Sequence, residues 1–424
     1  MQFTATLEFA QGLDKHDPLK NFRDQFYIPK HKNQEVVYLC GNSLGLLPKS
    51  TEQYLKKELD EWARLGVEGH FESQNPWLHY HTFVQEQLAE VVGAKKHEVV
   101  AANSLTVNLH LMFASFYQPA GKKTKILVEH NPFSSDWYAL QSQILQKGLK
   151  PEDTLVELQP DGQNSYISTQ HILSEIDRLQ DELAILFLGG VNYLTGQAFD
   201  MKTIIQHAHK KNILVGLDLA HAVGNLELQL HDWQADFAVW CSYKYLNSGP
   251  GGTGGYFIHE KHAANTNLTR LAGWWGQDES TRFQMGKQFN PTPTAEGWQL
   301  SNAPVLSLAA QWASLDIFQK AGISKIRAKS KKLTAYLEYL LHELILSKEN
   351  TYNITIITPA NPEERGCQLS LKIGRKGNEL YEKLKKANYI VDFRNPDIIR
   401  VSPVPLYNSF EEVYKFVDFL KQLN

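Results

Sequence analysis

Lys244 follows an apolar run, Phe237 to Cys241, and precedes a glycine-rich turn, Gly249 to Gly255. The run reads as a short buried strand, and Tyr256 to Ile258 as the next one. Most lysines are solvated surface charges. This one lies between a strand and a turn whose glycines let backbone approach closely. A lysine desolvated in that way loses its proton near neutral pH and can form a Schiff base. A second group fits the same chemistry. Asp218 ends the unbroken apolar run Ile213 to Leu217, and His221 follows shortly after. An acid at the carboxyl end of a buried parallel strand is costly without a cationic partner. That end is also where ligands bind in α/β sheets.

A third group sits in Ala101-Ala-Asn-Ser-Leu-Thr-Val-Asn108. A strand end runs there into a helix. Asn103 and Ser104 are candidate caps, and Thr106 can add a hydroxyl to a phosphate site at the helix start. Lys244 as Schiff-base former, Asp218 as holder of a protonated ring nitrogen, and a helix-start phosphate site with Tyr243 together describe a site for pyridoxal 5'-phosphate. The glycines alone do not describe a nucleotide site. Gly249 to Gly255 matches neither the dinucleotide fingerprint nor the P-loop.

The elements that position these groups alternate. Apolar runs and helical patterns succeed one another from about Val36 to Ile258, which predicts an α/β domain with a parallel sheet. A strand from Lys125 to Glu129 leads into Phe133-Ser-Ser-Asp136. There Phe133 and Asp136 are placed either to stack on and bond a flat ligand or to form a hydrophobic staple and an N-cap. Gly41-Asn-Ser-Leu-Gly-Leu-Leu-Pro48 is a shaped loop: a plain turn, or one that offers Asn42 to a ligand. His70 lies in a polar and aromatic loop, Gly66 to Trp77. Asn192 to Gly196 reads as a turn. After Pro304 a helix leads out of the large domain, and the remaining strands and helices predict a small α+β domain. The expected organisation is a segment 1–50 with the ligand loop, a large domain 51–305 and a small domain 306–424.

Composition narrows the class. The chain has 424 residues, 42% hydrophobic and 21% charged, as expected of a globular protein with more than one domain. A net charge of −3 gives no electrostatic case for nucleic acid or an acidic membrane. Cys40, Cys241 and Cys367 are far apart and odd in number. They make no metal-ligand spacing and no disulfide framework, so a reducing cytoplasm is expected and no metal site. No signal peptide and no membrane span are read.

Several strings carry a resemblance: Gly41-Asn-Ser-Leu-Gly-Leu, Asn103-Ser-Leu-Thr-Val-Asn-Leu, Asp218-Leu-Ala-His-Ala-Val-Gly-Asn, Trp240-Cys-Ser-Tyr-Lys-Tyr-Leu-Asn, Gly273-Trp274, Ser301-Asn302, Glu364-Arg-Gly-Cys-Gln-Leu and Arg400-Val-Ser-Pro-Val-Pro-Leu-Tyr-Asn. The chain resembles the kynureninase family, fold-type I pyridoxal-phosphate enzymes of the aspartate aminotransferase superfamily, over nearly its whole length. Asp-x-x-His followed by Ser-x-Lys is shared with cysteine desulfurases.

The resemblance implies a large domain with a mainly parallel sheet of seven-stranded type, flanked by helices, and a smaller C-terminal domain. It implies Lys244 as Schiff-base lysine and proton shuttle and Asp218 against the pyridine nitrogen. Leu105, Thr106 and Tyr243 fall to the phosphate, Phe133 to stacking on the ring, Ser134, Ser135 and Asp136 to lining it, and His221 to the cofactor's side. Trp274 and Asn302 come from the partner subunit of a homodimer whose active sites lie at the interface. Arg400 clamps the α-carboxylate of a small amino-acid substrate, assisted by Asn42, while His70, Ser301 and Asn302 surround its aromatic ring. The implied reaction is hydrolytic Cβ–Cγ cleavage of L-kynurenine or 3-hydroxy-L-kynurenine, in tryptophan catabolism and the supply of pyridine-nucleotide precursors. Tyr243 is a candidate general acid.

The polar residues around the ring lean toward the 3-hydroxy substrate. Phe133-Ser-Ser-Asp136 departs from the family's frequent Phe-Pro-(Ser/Thr)-Asp, and Gly189 and Gln277 stand where some members have serine and histidine. The competing expectation is a cysteine desulfurase or aminotransferase-like enzyme of the same fold. A desulfurase needs a mobile nucleophilic cysteine, whereas Cys367 lies in an apolar strand pattern.

Overall fold

Strand Leu214–Asp218 is the middle of a seven-stranded sheet, and the other strands are laid out on either side of it. The computed structural model describes residues 2–162, 165–265, 267–347 and 350–423. In chain order the strands are β1 (Val99–Ala101), β2 (Lys125–Val128), β3 (Leu155–Glu157), β4 (Leu183–Gly189), β5 (Leu214–Asp218), β6 (Phe237–Trp240) and β7 (Gly255–Ile258). In space they run β1-β7-β6-β5-β4-β2-β3. The neighbours from β6 to β3 are parallel, and β7 is antiparallel to both β6 and β1. Apart from the half-buried Leu214, β5 is buried, and β6 and β7 are buried throughout. That is why their sequences are unbroken apolar runs rather than alternating ones.

The reversed β7 follows from the glycine turn before it. Parallel neighbours need a long crossover, whereas Ser248 to Gly254 only folds the chain back. The turn also brings separate segments together. The Gly254 amide donates to the Asn103 carbonyl at 2.7 Å, and the Gly254 carbonyl accepts from the Ala102 amide at 3.1 Å. A Cβ on Gly254 would sit 2.7 Å from the Trp240 carbonyl oxygen, so only glycine allows this approach.

Helices cover both faces. Two of them, α1 (Leu105–Phe116) and α2 (Ser134–Gln146), start at the carboxyl end of the sheet and pack against each other. The helix Val305–Ala321 packs on the helix Thr51–Leu65, and its Leu308, Leu315 and Phe318 belong to the core of the large sheet. Gly322 then turns the chain into the long helix Ile323–Leu346. The C-terminal strands form a four-stranded antiparallel sheet in the order Ile354–Ile356, Leu369–Ile373, Ile398–Val401, Asp392–Arg394. Its core takes Ala10 and Leu39 from the N-terminal segment. Val37–Tyr38 pairs with Tyr389–Ile390, and helix Leu7–Lys15 packs on helix Phe410–Gln422. The first forty residues therefore straddle the two cores, with Ala10 and Leu39 in that of the C-terminal part and Leu19 and Phe26 in that of the large sheet.

Candidate active site

Lys244 stands in the loop after β6, with its Nζ 3.0 Å from His221 Nε2 and 6.0 Å from the centre of the Phe133 ring. The loop is fixed from behind. The Gly45 amide donates to the Tyr243 carbonyl at 2.8 Å, and a Cβ on Gly45 would collide with the Lys244 carbonyl at 2.3 Å. The shaped loop Gly41 to Pro48 is thus the backing of the lysine. Leu105, Thr106, Phe133, Ser135, Asp136, Asp218, His221, Tyr243 and Lys244 line one cavity at the carboxyl end of the sheet.

One wall of this cavity is two helix starts. Ser104 occupies the N-cap position of α1 and Phe133 that of α2, and neither gives a side-chain cap bond. Asn103, a candidate cap, instead adopts φ 52° and donates to Asn108 Oδ1 at 2.9 Å. The Thr106 and Ser135 hydroxyls meet at 2.8 Å, linking the two starts. Uncapped amides with two hydroxyls between them fit a phosphate.

Part of the same lining is acidic. Asp218 ends β5, and its Oδ1 accepts from the Ala220 amide at 2.8 Å. Asp136 is buried, and its Oδ1 has no partner. Burial and then the neighbouring Asp218 push the Asp136 carboxyl well above its usual range. Glu129 lies alongside, and burial pushes it up to about 8. Lys244 is the cation that bears on Asp136. A buried wall of carboxyl groups of this kind calls for a positive group facing it, and a protonated pyridine nitrogen is one. His221 is kept neutral by burial and by Lys244, and its Nδ1 has no partner. A phosphate wall, an acid wall and a lysine between them suit pyridoxal phosphate.

Tyr243 and Cys241 also face the cavity, and burial and then Cys241 raise the Tyr243 phenol, which keeps it protonated. Sequence reasoning did not assign six of the lining residues to the site: Glu129, Gly189, Val191, Tyr193, Ala220 and Cys241. Tyr193 stands edge-on to Phe133, with ring centres 5.3 Å apart at 80°. It lies in the turn read only as Asn192 to Gly196. Its aromatic ring after a glycine pair at a strand end was the available signal.

Other expected site residues lie elsewhere in this chain. Ser134 is exposed beside the cavity, and Ser301 and Asn302 are exposed in an irregular segment before Pro304. His70 Nδ1 is 3.0 Å from the Val67 carbonyl oxygen, and its ring stands edge-on to Trp77 at 5.4 Å. Trp274 is 48% exposed, and its Nε1 donates to the Arg282 carbonyl at 3.1 Å. Asn42 is buried: its Nδ2 donates to Gln368 at 3.1 Å, and its Oδ1 has no partner. Arg400 is buried too. Its Nε donates to Asp392 at 2.9 Å and its Nη1 to the Tyr193 carbonyl at 2.8 Å. Arg400 therefore touches the segment that lines the cavity but is held by Asp392.

The fold and this site together define a pyridoxal-phosphate enzyme of fold type I. Among solved structures the chain is similar to the apo cysteine desulfurase of Thermococcus onnurineus NA1, at 18% identity and a TM-score of 0.76, covering 97% of both chains. It is likewise similar to a mutant of C-DES with glycine covalently linked to its PLP cofactor, at 16% identity and a TM-score of 0.77, covering 94% of this chain and 98% of that one. Residues 77–232 match the DegT/DnrJ/EryC1/StrS aminotransferase family, and residues 326–420 match the kynureninase C-terminal domain. The curated kynureninase of Myxococcus xanthus is 51% identical over 99% of this chain and 97% of its own length. That of Flavobacterium psychrophilum is 49% identical over 100% of this chain and 99% of its own. The chain belongs to the kynureninase family, and its cofactor is pyridoxal phosphate.

Proposed function

We propose that the cavity around Lys244 hydrolyses the Cβ–Cγ bond of L-kynurenine or 3-hydroxy-L-kynurenine, releasing L-alanine and anthranilate or 3-hydroxyanthranilate. The observation that carries the reading is Lys244 Nζ facing the Phe133 ring from one side of a cavity whose other walls are helix starts and carboxyl groups. Membership of the family over the whole chain supplies the substrate class.

Bound pyridoxal phosphate supplies an electron sink for charge left at the substrate's reacting carbons. The chain's residues do the rest. Leu105, Thr106 and Ser135 hold the phosphate with the helix starts, and Tyr243 closes that side. Ser134 is at the rim. Phe133 would stack on the ring, Asp218 would pair with its nitrogen, Asp136 would line it, and His221 would flank it. Lys244 takes the proton from the substrate's Cα and returns it to the product. His221, held neutral, accepts a hydrogen bond from Lys244 and keeps it aimed. Tyr243, kept protonated by burial, donates to the γ-carbonyl or its hydrate. Arg400 turns from Asp392 to the substrate α-carboxylate, a planar bidentate exchange, with Asn42 beside it.

Trp274 and Asn302 act from the second subunit of a homodimer, and His70, Ser301 and Asn302 surround the aromatic ring of the substrate. Each stands in or next to exposed apolar surface, with Phe71 at 60% exposed, Trp62 at 59% and Leu306 at 40%. We assign the enzyme to the cytoplasm and to tryptophan breakdown. Among the described residues no helix is long and apolar enough to cross a membrane.

The desulfurase chemistry of the structural relatives lacks its nucleophile here. All three cysteines are buried, and burial pushes Cys367 up to about 12. Product analysis tests the reading. Protein loaded with pyridoxal phosphate is given each substrate, and alanine and the aromatic product are measured. Stoichiometric alanine is expected, with the larger kcat/KM for the 3-hydroxy form. No alanine from either substrate would overturn the assignment.

A further inference from the structure

Arg282 is the buried cation of the segment that carries Trp274. It is 5% exposed. Burial lowers its pKa, and among the described residues no carboxylate makes an ion pair with it. A buried charge without a counter-ion is costly unless strong hydrogen bonds replace its water. Here those bonds go to main chain. Nη2 donates to the Trp275 carbonyl at 3.0 Å and to the Gln277 carbonyl at 3.1 Å. The guanidinium carbon lies 4.6 Å from the centre of the Trp275 ring. The clasp is returned, since Trp274 Nε1 donates to the Arg282 carbonyl at 3.1 Å.

The far side of this loop lies on Leu300. A Cβ on Gly273 would sit 2.3 Å from the Leu300 Cα and carbonyl oxygen, so backbone meets backbone there. The Trp275 amide donates to the Leu300 carbonyl at 3.4 Å. Ser301 and Asn302 follow Leu300 directly. The Gln277 side chain closes the loop's end: its Nε2 donates to Thr281 at 2.7 Å, and its Oε1 accepts from the Asn290 amide at 2.7 Å. Trp274 stands edge-on to both Trp275 and Phe283, with ring centres 5.6 and 5.5 Å away. Trp275 and Arg282 are buried, while Trp274 is half exposed. A large ring held this firmly and left half bare is set for a contact outside its own chain.

We propose that Arg282 is a positioning residue for Trp274: by clasping the carbonyls of Trp275 and Gln277 it fixes the loop against Leu300 and sets the indole, with Asn302 beside it, at the cofactor of the second subunit. The proposal rests on the homodimeric pyridoxal-phosphate reading. Arg282 itself touches neither cofactor nor substrate. Loss of its guanidinium frees two carbonyls and lets the indole swing, and cofactor affinity falls in the partner's site.

The test measures the dissociation constant of pyridoxal phosphate in wild type, Trp274→Ala, Arg282→Met and the double variant. Methionine keeps the apolar stem and removes the donors. Each single variant should bind the cofactor about tenfold or more weakly, and the double variant no more weakly than Trp274→Ala, because Arg282 acts through the indole. Losses that multiply in the double variant would overturn the proposal, as would wild-type affinity in Arg282→Met. A second measurement mixes Arg282→Met with Lys244→Ala after reversible dissociation. In a mixed dimer the intact Lys244 meets the intact loop of its partner, so alanine release should rise above the mean of the two parents. A purely structural defect stays with its own chain, and a mixture that stays at the mean would overturn the proposal. Arg282→Lys keeps the charge but loses the fork, and it carries both measurements if Arg282→Met does not assemble. Undiminished cofactor binding by Trp274→Ala would instead sink the assignment of Trp274 to the cofactor.

Discussion

Lys244 and Glu129 face the same cavity and place opposite demands on the protein. Lys244 has a neutral acceptor, His221 Nε2 at 3.0 Å, and the assigned proton transfers pass through its Nζ. Lys244→Ala should lower turnover by about 10²–10⁴-fold or more, the range for loss of a positioned proton-transfer group, measured as alanine release by the loaded enzyme. Added ethylamine should restore part of it, and full activity without rescue would remove Lys244 from the reaction. Glu129 makes its mark on stability. Its folded value of about 8 lies above the usual ~4.3 of the unfolded chain. The contribution is fully present below ~4.3 and is lost as pH rises toward the folded value, because the folded state holds a proton that the unfolded chain has released. Cofactor-free Glu129→Gln should therefore melt with wild type at about pH 4 and above it at about pH 8. A thermal-melt series that shows the reverse order, or no dependence on pH, would contradict the raised value. Lys244, Asp218 and Thr106 were legible in the sequence because each follows a strand end or opens a helix. Glu129 was not. It reads there as the last residue of a strand, and what holds it at the cavity is a glycine two strands away in the chain and adjacent in space.

At the scale of elements, the apolar runs marked every strand of the large sheet from β4 to β7, with ends one residue from those observed at several places. Burial on both faces explains the legibility. Direction was less legible, since β7 reverses through the backbone approach at Gly254 rather than through any side-chain pattern. The small sheet carries Arg400, proposed above to hold the substrate carboxylate. Arg400 on strand Ile398–Val401 and Asp392 on strand Asp392–Arg394 face across one ladder position, with Arg400 Nη2 2.8 Å from Asp392 Oδ2 and side chains 1% and 11% exposed. Sequence resemblance gave Arg400 its task but not the partner that holds it meanwhile. Removing one member of a buried pair leaves the other charge uncompensated. Asp392→Ala should cost about 3–5 kcal/mol of stability, read from denaturant unfolding. Substrate that reaches Arg400 should offset part of that loss, so the variant's melting temperature should rise more with bound amino acid than that of wild type. Equal shifts in both proteins would separate Arg400 from substrate binding.

At the scale of the whole molecule, the assigned residues fall into two groups that one chain does not bring together. Lys244, Asp218 and the helix starts share a cavity, while His70, Trp274, Ser301 and Asn302 stand outside it amid exposed aromatic and aliphatic surface. Trp62, Phe71 and Trp274 are each about half exposed or more, which is unusual for large apolar side chains on a monomer. A two-fold pair of subunits would bury that surface and carry the second group to the first, each copy serving its partner. Sedimentation should find a dimer at micromolar concentration. The decisive measurement mixes two inactive proteins, Lys244→Ala and Asn302→Ala, after reversible dissociation. If the site is shared, half of the reassorted dimers are mixed, and each contains one site with both residues intact. Activity should recover to about a quarter of the wild-type value. If each chain completed its own site, every site in the mixture would carry one defect and nothing would return. Recovery near a quarter would place Asn302 across the interface, and no recovery from freely exchanging subunits would return it to its own chain's surface.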